Sequence, residues 1–191
     1  MRGPHMQTDI LERRLSEPHV EPLMALIALW RARGLDVPNV DPNDGGVFAK
    51  VLFLLESPGP QVVRSGFISR ENRDDSARNM SKALNEAGFT RAETLLWNVV
   101  PYCVSSSDRN RNASLAQIRM AAPDTNAFID LLAELRAVVL CGRRAQYAES
   151  YLSIRVRTFR TYHPGARAYR RQEYRKHLHD TLAAVRAYIS N

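Results

Sequence analysis

Residues 51–60 read VLFLLESPGP, in which five consecutive apolar side chains run straight into a turn. An unbroken apolar block of that length, with no polar alternation, fits a strand buried on both faces, as in a parallel sheet. The turn Glu56-Ser57-Pro58-Gly59-Pro60 then stands at the carboxyl end of that strand. The pattern recurs along the chain. Residues 94–100 (TLLWNVV) form a second strand candidate carrying Asn98 near its end. Residues 137–141 (AVVLC) form a third, closed by Gly142. Residues 156–162 form a fourth, followed by His163-Pro164-Gly165.

Helical patterns fill the intervals. Leu23, Ile27 and Trp30 share one face of a helix over residues 19–33, ended by Gly34. Residues 37–46 are turn-formers. Asp74 or Asp75 is suited to N-cap a helix running to about Ala87, with Gly88 as its stop. Residues 105–112 (SSSDRNRN) read as a polar loop, and Asp124 reads as the cap of a helix through Leu135. Gly142 opens a helix over residues 144–151, and a final helix covers roughly residues 169–188. This alternation predicts an α/β fold: a three-layer α/β/α sandwich with a central, mostly parallel four-stranded sheet. Residues 1–6 (MRGPHM) read as an expression-tag remnant, leaving residues 7–191 as a single domain.

Composition excludes several classes. Of 191 residues, 45% are apolar, too many for a disordered chain, and two cysteines are too few for a disulfide scaffold. No apolar run approaches the roughly 18 residues that span a bilayer, and no apolar signal segment opens the chain. The expectation is a cytoplasmic protein, monomeric and with no membrane association. Its net charge of +7 is unevenly placed, because residues 136–176 hold eleven bases against only Glu149 and Glu173. Twenty-four of the 27 basic residues are arginine. Such a basic stretch favours a polyanionic partner, and arginine adds bidentate phosphate geometry. A solvated Arg-rich surface is the competing explanation.

Ligands of open α/β sheets bind at the carboxyl ends of the strands. All four strand candidates deliver polar or backbone-exposing residues there: Glu56 to Gly59, Asn98, Gly142 with Arg143, and His163 to Gly165 with Arg167. Taken one at a time, each has a plain structural alternative. Glu56 could cap a turn or pair with an arginine, and Phe67 could anchor its own loop. A buried Asn98 needs a partner for its amide.

In this order, the motifs resemble the uracil-DNA glycosylase superfamily over about residues 48–185. Leu55-Glu56-Ser57-Pro58-Gly59 matches the Gly-Glu-Ala-Pro-Gly motif of its iron–sulfur branch. Thr161-Tyr162-His163-Pro164-Gly165 fits the His-Pro-Ser motif after the fourth strand, and residues 139–145 fit the strand–Gly–helix step. The resemblance implies that Phe67 stacks on the base, that Asn98 reads its edge and that Ser57 lines the base site. It also implies that DNA is the partner. The strand-end residues Pro58, Gly59, Gly142, Arg143, Pro164 and Gly165, and Arg167, Arg170, Arg171 and Arg175 close after the His-Pro turn, are expected to contact it, a solvated basic face being the alternative for the arginines. Helical spacing is expected to gather the last four arginines on one face.

The departures are specific. Two cysteines cannot hold a four-cysteine cluster, so no metal or other cofactor is expected. Leu55 replaces the glycine that usually opens the first motif. Ser57 stands where several branches place Asp or Asn, and a hydroxyl cannot serve as a carboxylate base. Glu56 is therefore expected to orient or activate water, and His163 to stabilise the departing base. Together with the charged segment 69–79, these changes suggest a divergent pocket.

The expected activity is that of a monofunctional DNA glycosylase acting on uracil or a modified pyrimidine, in repair or in defence against phage. A non-catalytic nucleic-acid-binding module on the same fold is the alternative. A nucleotide-binding protein using Gly142 as an anion cradle has less support, because there is no Walker-type Lys/Ser pair and no dinucleotide glycine fingerprint.

Overall fold

The computed structural model describes residues 4–104 and 112–191. Helices α1 (Pro4–Arg13) and α2 (Glu21–Ala32) lead to a two-residue strand, β1 (Asn39–Val40), and then to β2 (Val51–Leu55). Helix α3 (Pro60–Ser65), strand β3 (Phe67–Ile68), helix α4 (Asp75–Glu86) and strand β4 (Thr94–Asn98) follow. After α5 (Leu115–Asp130) come β5 (Ala137–Cys141), α6 (Arg143–Ala148) and β6 (Arg157–Thr161). The chain closes with α7 (Ala166–Tyr169) and α8 (Gln172–Ser190).

The four main strands pair in the order β4-β2-β5-β6, every pair parallel. Because all four point the same way, their carboxyl ends share one edge. The central strands are apolar and buried, whereas β6, at the sheet edge, carries Arg157 and Arg160 and is partly exposed. Helices flank the sheet, with α4 packed on α7 and α8, and α5 packed on α6. Trp97 of β4 stacks flat on Phe128 of α5, with ring centroids 4.3 Å apart, fastening that layer to the sheet. Offset aromatic stacking of this kind adds about 1 kcal/mol beyond the area it buries.

Several sequence expectations need correction. The helix expected to start at Asp124 begins at Leu115 instead and ends at Asp130. Its cap is Ser114, which accepts from the Gln117 N–H while the Gln117 side chain accepts from the Ser114 N–H, a reciprocal capping box. Pro123 lies inside this helix, and Asp124 instead accepts from the Arg33 guanidinium at 2.7 Å. The expected helix over residues 169–188 is split by a break at Arg170 and Arg171. Its buried residues, Leu178, Leu182, Val185 and Ile189, all lie beyond the arginine-rich stretch, which has few apolar anchors to keep one helix continuous. Arg167 and Arg175 thus belong to separate helices, and one helical face does not gather the four arginines. Nearly all of the polar loop expected over residues 105–112 lies outside the described residues.

The turn-forming segment 37–46 holds more structure than its composition suggests. Val40 pairs in parallel with Ile68, and Asp41 and Asp44 are buried. Arg91 bridges both carboxylates, 2.5 Å from Asp41 and 2.9 Å from Asp44, while buried Arg70 lies 3.3 Å from Asp44 and donates to Thr94. Ser69 donates to Asp41. Thr94 opens β4, so this network sits at the amino end of the sheet, opposite the edge where the motif residues gather. Part of the charge in segment 69–79 therefore serves the fold.

Candidate active site

His163 stands two residues past the end of β6, held by contacts from three directions. The Thr161 carbonyl accepts from the Gly142 N–H and from the Gln146 side-chain amide, each at 2.8 Å. That ties the end of β6 to the turn after β5. Asn79 of α4 donates to the Pro164 carbonyl at 2.7 Å, pinning the loop from the other helix layer. Two glycines are fitted against His163, Gly142 at its Cβ and Gly165 at its ring. A Cβ at Gly142 would come 3.0 Å from the His163 Cβ, and one at Gly165 would come 2.9 Å from Nδ1. Gly142 also has φ +92°, a conformation that side chains disfavour.

The Gly165 N–H donates to His163 Nδ1 at 3.0 Å. An imidazole nitrogen that accepts has no proton, so the neutral ring carries its proton on Nε2. Burial lowers the His163 pKa below its ordinary 6.5, outweighing the opposing pull of Asp74, and so favours that neutral form. The ring is thus a neutral donor whose tautomer is set by a backbone contact. Asp74 also accepts from Ala77 N–H as the N-cap of α4, which places the start of that helix beside the His163 loop.

Glu56 follows β2 and is half-buried. Its Oε1 accepts from the Ala113 N–H at 2.6 Å. Burial raises its pKa above the ordinary 4.5, while the Ala113 bond and the charge of Arg144 act in the opposite direction. Asn98, the last residue of β4, pairs in register with Leu55. Its side chain is only 4% exposed and has no hydrogen-bond partner among the described residues. Its amide is not sealed in the interior, so Asn98 keeps a donor and an acceptor for a ligand.

The remaining candidates divide by position. Ser57, Pro58 and Gly59 are partly exposed at the same edge, and a Cβ at Gly59 would meet nothing within 4 Å. Phe67 lies in β3, outside the main sheet. Its ring is 2% exposed but does not join the contiguous core cluster. Arg143, Arg167, Arg170, Arg171 and Arg175 are exposed, and none makes an ion pair among the described residues. No group of three or more His, Cys, Asp or Glu side chains is placed to hold a metal among the described residues. No helix among them is long and apolar enough to cross a membrane.

Sequence reasoning missed Asn79, Gln146 and the Ala113 N–H, and it found Asp74 only as a helix cap. The first three act on the site from distant parts of the chain, each through a single polar contact, and Asp74 acts on His163 through its charge.

The edge combines a neutral, tautomer-fixed histidine, a half-buried carboxylate, an unspent amide and unpaired arginines on a parallel sheet. The family model of the uracil DNA glycosylase superfamily matches residues 42–186, and the chain belongs to that superfamily. Membership supports a DNA glycosylase in general terms. No curated protein matches the chain.

Proposed function

We propose that the protein is a monofunctional DNA glycosylase that takes uracil or a modified pyrimidine out of the DNA stack and hydrolyses its N-glycosidic bond. The observation that carries this reading is the Gly165–His163 contact, which leaves an Nε2–H donor at the strand edge occupied by Glu56 and Asn98.

The C1′–N1 bond breaks with its electron pair leaving on the base, so negative charge grows on the pyrimidine and positive charge on the sugar. A neutral donor at O2 stabilises the anion without first surrendering a proton, and it acts most strongly where charge develops. His163 fills that role. Glu56 has one oxygen held by Ala113, leaving Oε2 to orient water toward C1′ and to take its proton. Asn98 offers a donor and an acceptor to the edge of the extruded base. Phe67 forms a wall of the base site, and the open face at Ser57, Pro58 and Gly59 admits the strand. Arg143, Arg167, Arg170, Arg171 and Arg175 line its path as phosphate contacts. The Gly142 and Gly165 N–H groups, by contrast, are taken up by Thr161 and His163, and Pro164 has none, so that turn positions the site rather than binding phosphate.

Two substrate classes fit this chemistry: uracil arising by deamination, and hydroxymethylated or glucosylated pyrimidines of phage DNA. Ser57 in the first motif favours a pocket unlike that of the iron–sulfur branch. The alternative, a binding module without catalysis, draws support from the Ala113 contact, which is what a Glu56 that merely tethers its loop would make.

The test is to incubate the protein with duplexes carrying uracil or hydroxymethyluracil and with glucosylated phage DNA. Free base is identified by mass and abasic sites are scored by alkali cleavage. Release from one of them supports the reading. DNA binding with no release from any substrate supports the binding module instead.

A further inference from the structure

Next to His163 lies an aromatic feature that the proposed chemistry does not use. The rings of Tyr162 and Tyr174 stack nearly parallel, 3.8 Å apart and 8° from coplanar. Tyr162 is 38% exposed, and the half-buried Tyr174 does not pack against the hydrophobic core, unlike the neighbouring Tyr169. Arg171 caps α8, lies over the Tyr174 ring at 5.1 Å and donates to its hydroxyl at 3.1 Å. His177 meets Tyr162 edge-on at 5.2 Å.

A stacked tyrosine pair open to water on one side presents a π-face on which a planar ligand can stack. Every base has a π-face that stacks on such rings whatever its sequence. The surrounding charge suits a nucleic-acid strand, because Arg167, Arg170, Arg171 and Arg175 are exposed and free of ion pairs among the described residues. Position agrees as well, since Tyr162 and His163 are adjacent residues whose Cα atoms are about 3.8 Å apart. A base stacked on Tyr162 would be a neighbour of the nucleotide at His163. In duplex DNA that neighbour is paired and its faces are already stacked, so the platform suits an unpaired base.

We infer that Tyr162 and Tyr174, steadied by Arg171, form a stacking platform for an unpaired nucleobase flanking the target nucleotide, and that the protein prefers single-stranded to duplex DNA. This rests on the DNA-directed reading above but not on catalysis.

The test is fluorescence anisotropy with three probes that contain no excisable base: a labelled thymidine 12-mer, the same strand annealed to its complement, and a 12-mer of abasic tetrahydrofuran units. The full chain should bind the base-bearing single strand about tenfold more tightly than either other probe. Tyr162→Leu and Tyr174→Leu should each remove most of that margin. Tyr162→Phe and Tyr174→Phe should restore it, with folding of each variant verified by circular dichroism. Equal affinity for the base-bearing and tetrahydrofuran strands, or an undiminished margin in both folded Leu variants, overturns the platform and leaves DNA binding intact. Failure of the unmodified chain to bind any probe overturns the DNA reading along with it.

Discussion

The Gly165 N–H and His163 Nδ1 are 3.0 Å apart, and no side chain fits at position 165 without pressing on that nitrogen. Gly165 has φ −62°, which alanine adopts freely, so Gly165→Ala should leave the backbone unstrained and displace chiefly the imidazole, with a small shift of Ser76 Oγ, 3.3 Å away. A displacement of about 1 Å can lower a rate by about a hundredfold. Single-turnover base release should fall by that order while the thermal midpoint stays near that of the unmodified chain. Gly142→Ala should behave differently, because φ +92° adds backbone strain of roughly 1–3 kcal/mol and lowers the midpoint as well.

Opposite shifts in the two proposed catalytic groups define the pH profile. Burial holds the His163 pKa below 6.5, so the ring remains neutral through neutral pH and protonates only on further acidification. Burial raises Glu56 above 4.5, and the required carboxylate exists above that raised value and is lost as pH falls through it. The rate should be flat near neutrality and fall on the acid side. In Glu56→Gln the residual rate should lose the part of that limb due to the carboxylate; an acid limb of unchanged position would show that Glu56 does not titrate in the reaction. The histidine's own contribution to stability runs in the same direction, while the burial-raised carboxyls of Glu56 and Asp44 contribute in the opposite sense. The unfolded chain takes up the proton more readily, so the contribution of neutral His163 is whole above 6.5 and declines below it.

What could be read from the sequence follows from how local each signal is. The blocks at residues 51–55 and 137–141 are buried on both faces, so their apolar runs marked β2 and β5 within the chain itself. Parallel pairing then carried Glu56, Asn98, Gly142 and His163 to one edge without further information. Strands β1 and β3 have two residues each, too short for any periodicity. At Pro123-Asp124 a local capping signal competed with the Ser114–Gln117 box, and the reciprocal box prevailed. The Asp41–Asp44–Arg70–Arg91 network and the Asn79 contact join residues far apart in sequence, so no local pattern announced them.

Arg70 gives the clearest prediction for stability. Arg70→Ala leaves Asp44 buried with one cationic neighbour fewer, and loss of one partner from a buried pair costs about 3–5 kcal/mol. Urea unfolding should show a loss of that size. Because the network lies at the amino end of β4, the folded fraction should retain its rate of base release, which is measured at low temperature.

The free arginines predict a dependence on salt. Arg170→Ala should weaken binding alike on unrelated DNA sequences and reduce the slope of log affinity against log salt by about one. Titrations at four salt concentrations would measure it. A change confined to one sequence, or to the identity of the released base, would contradict a phosphate contact.

The most direct measurement is single-turnover base release by the unmodified chain and by His163→Ala, with affinity for the same DNA measured in parallel. Removal of one donor to a developing anion lowers the rate by roughly a hundredfold to a thousandfold. The expected result is a loss of that size with affinity nearly unchanged. Release by His163→Ala at the unmodified rate would contradict the role of His163, and equal losses of rate and affinity would reduce it to a binding residue.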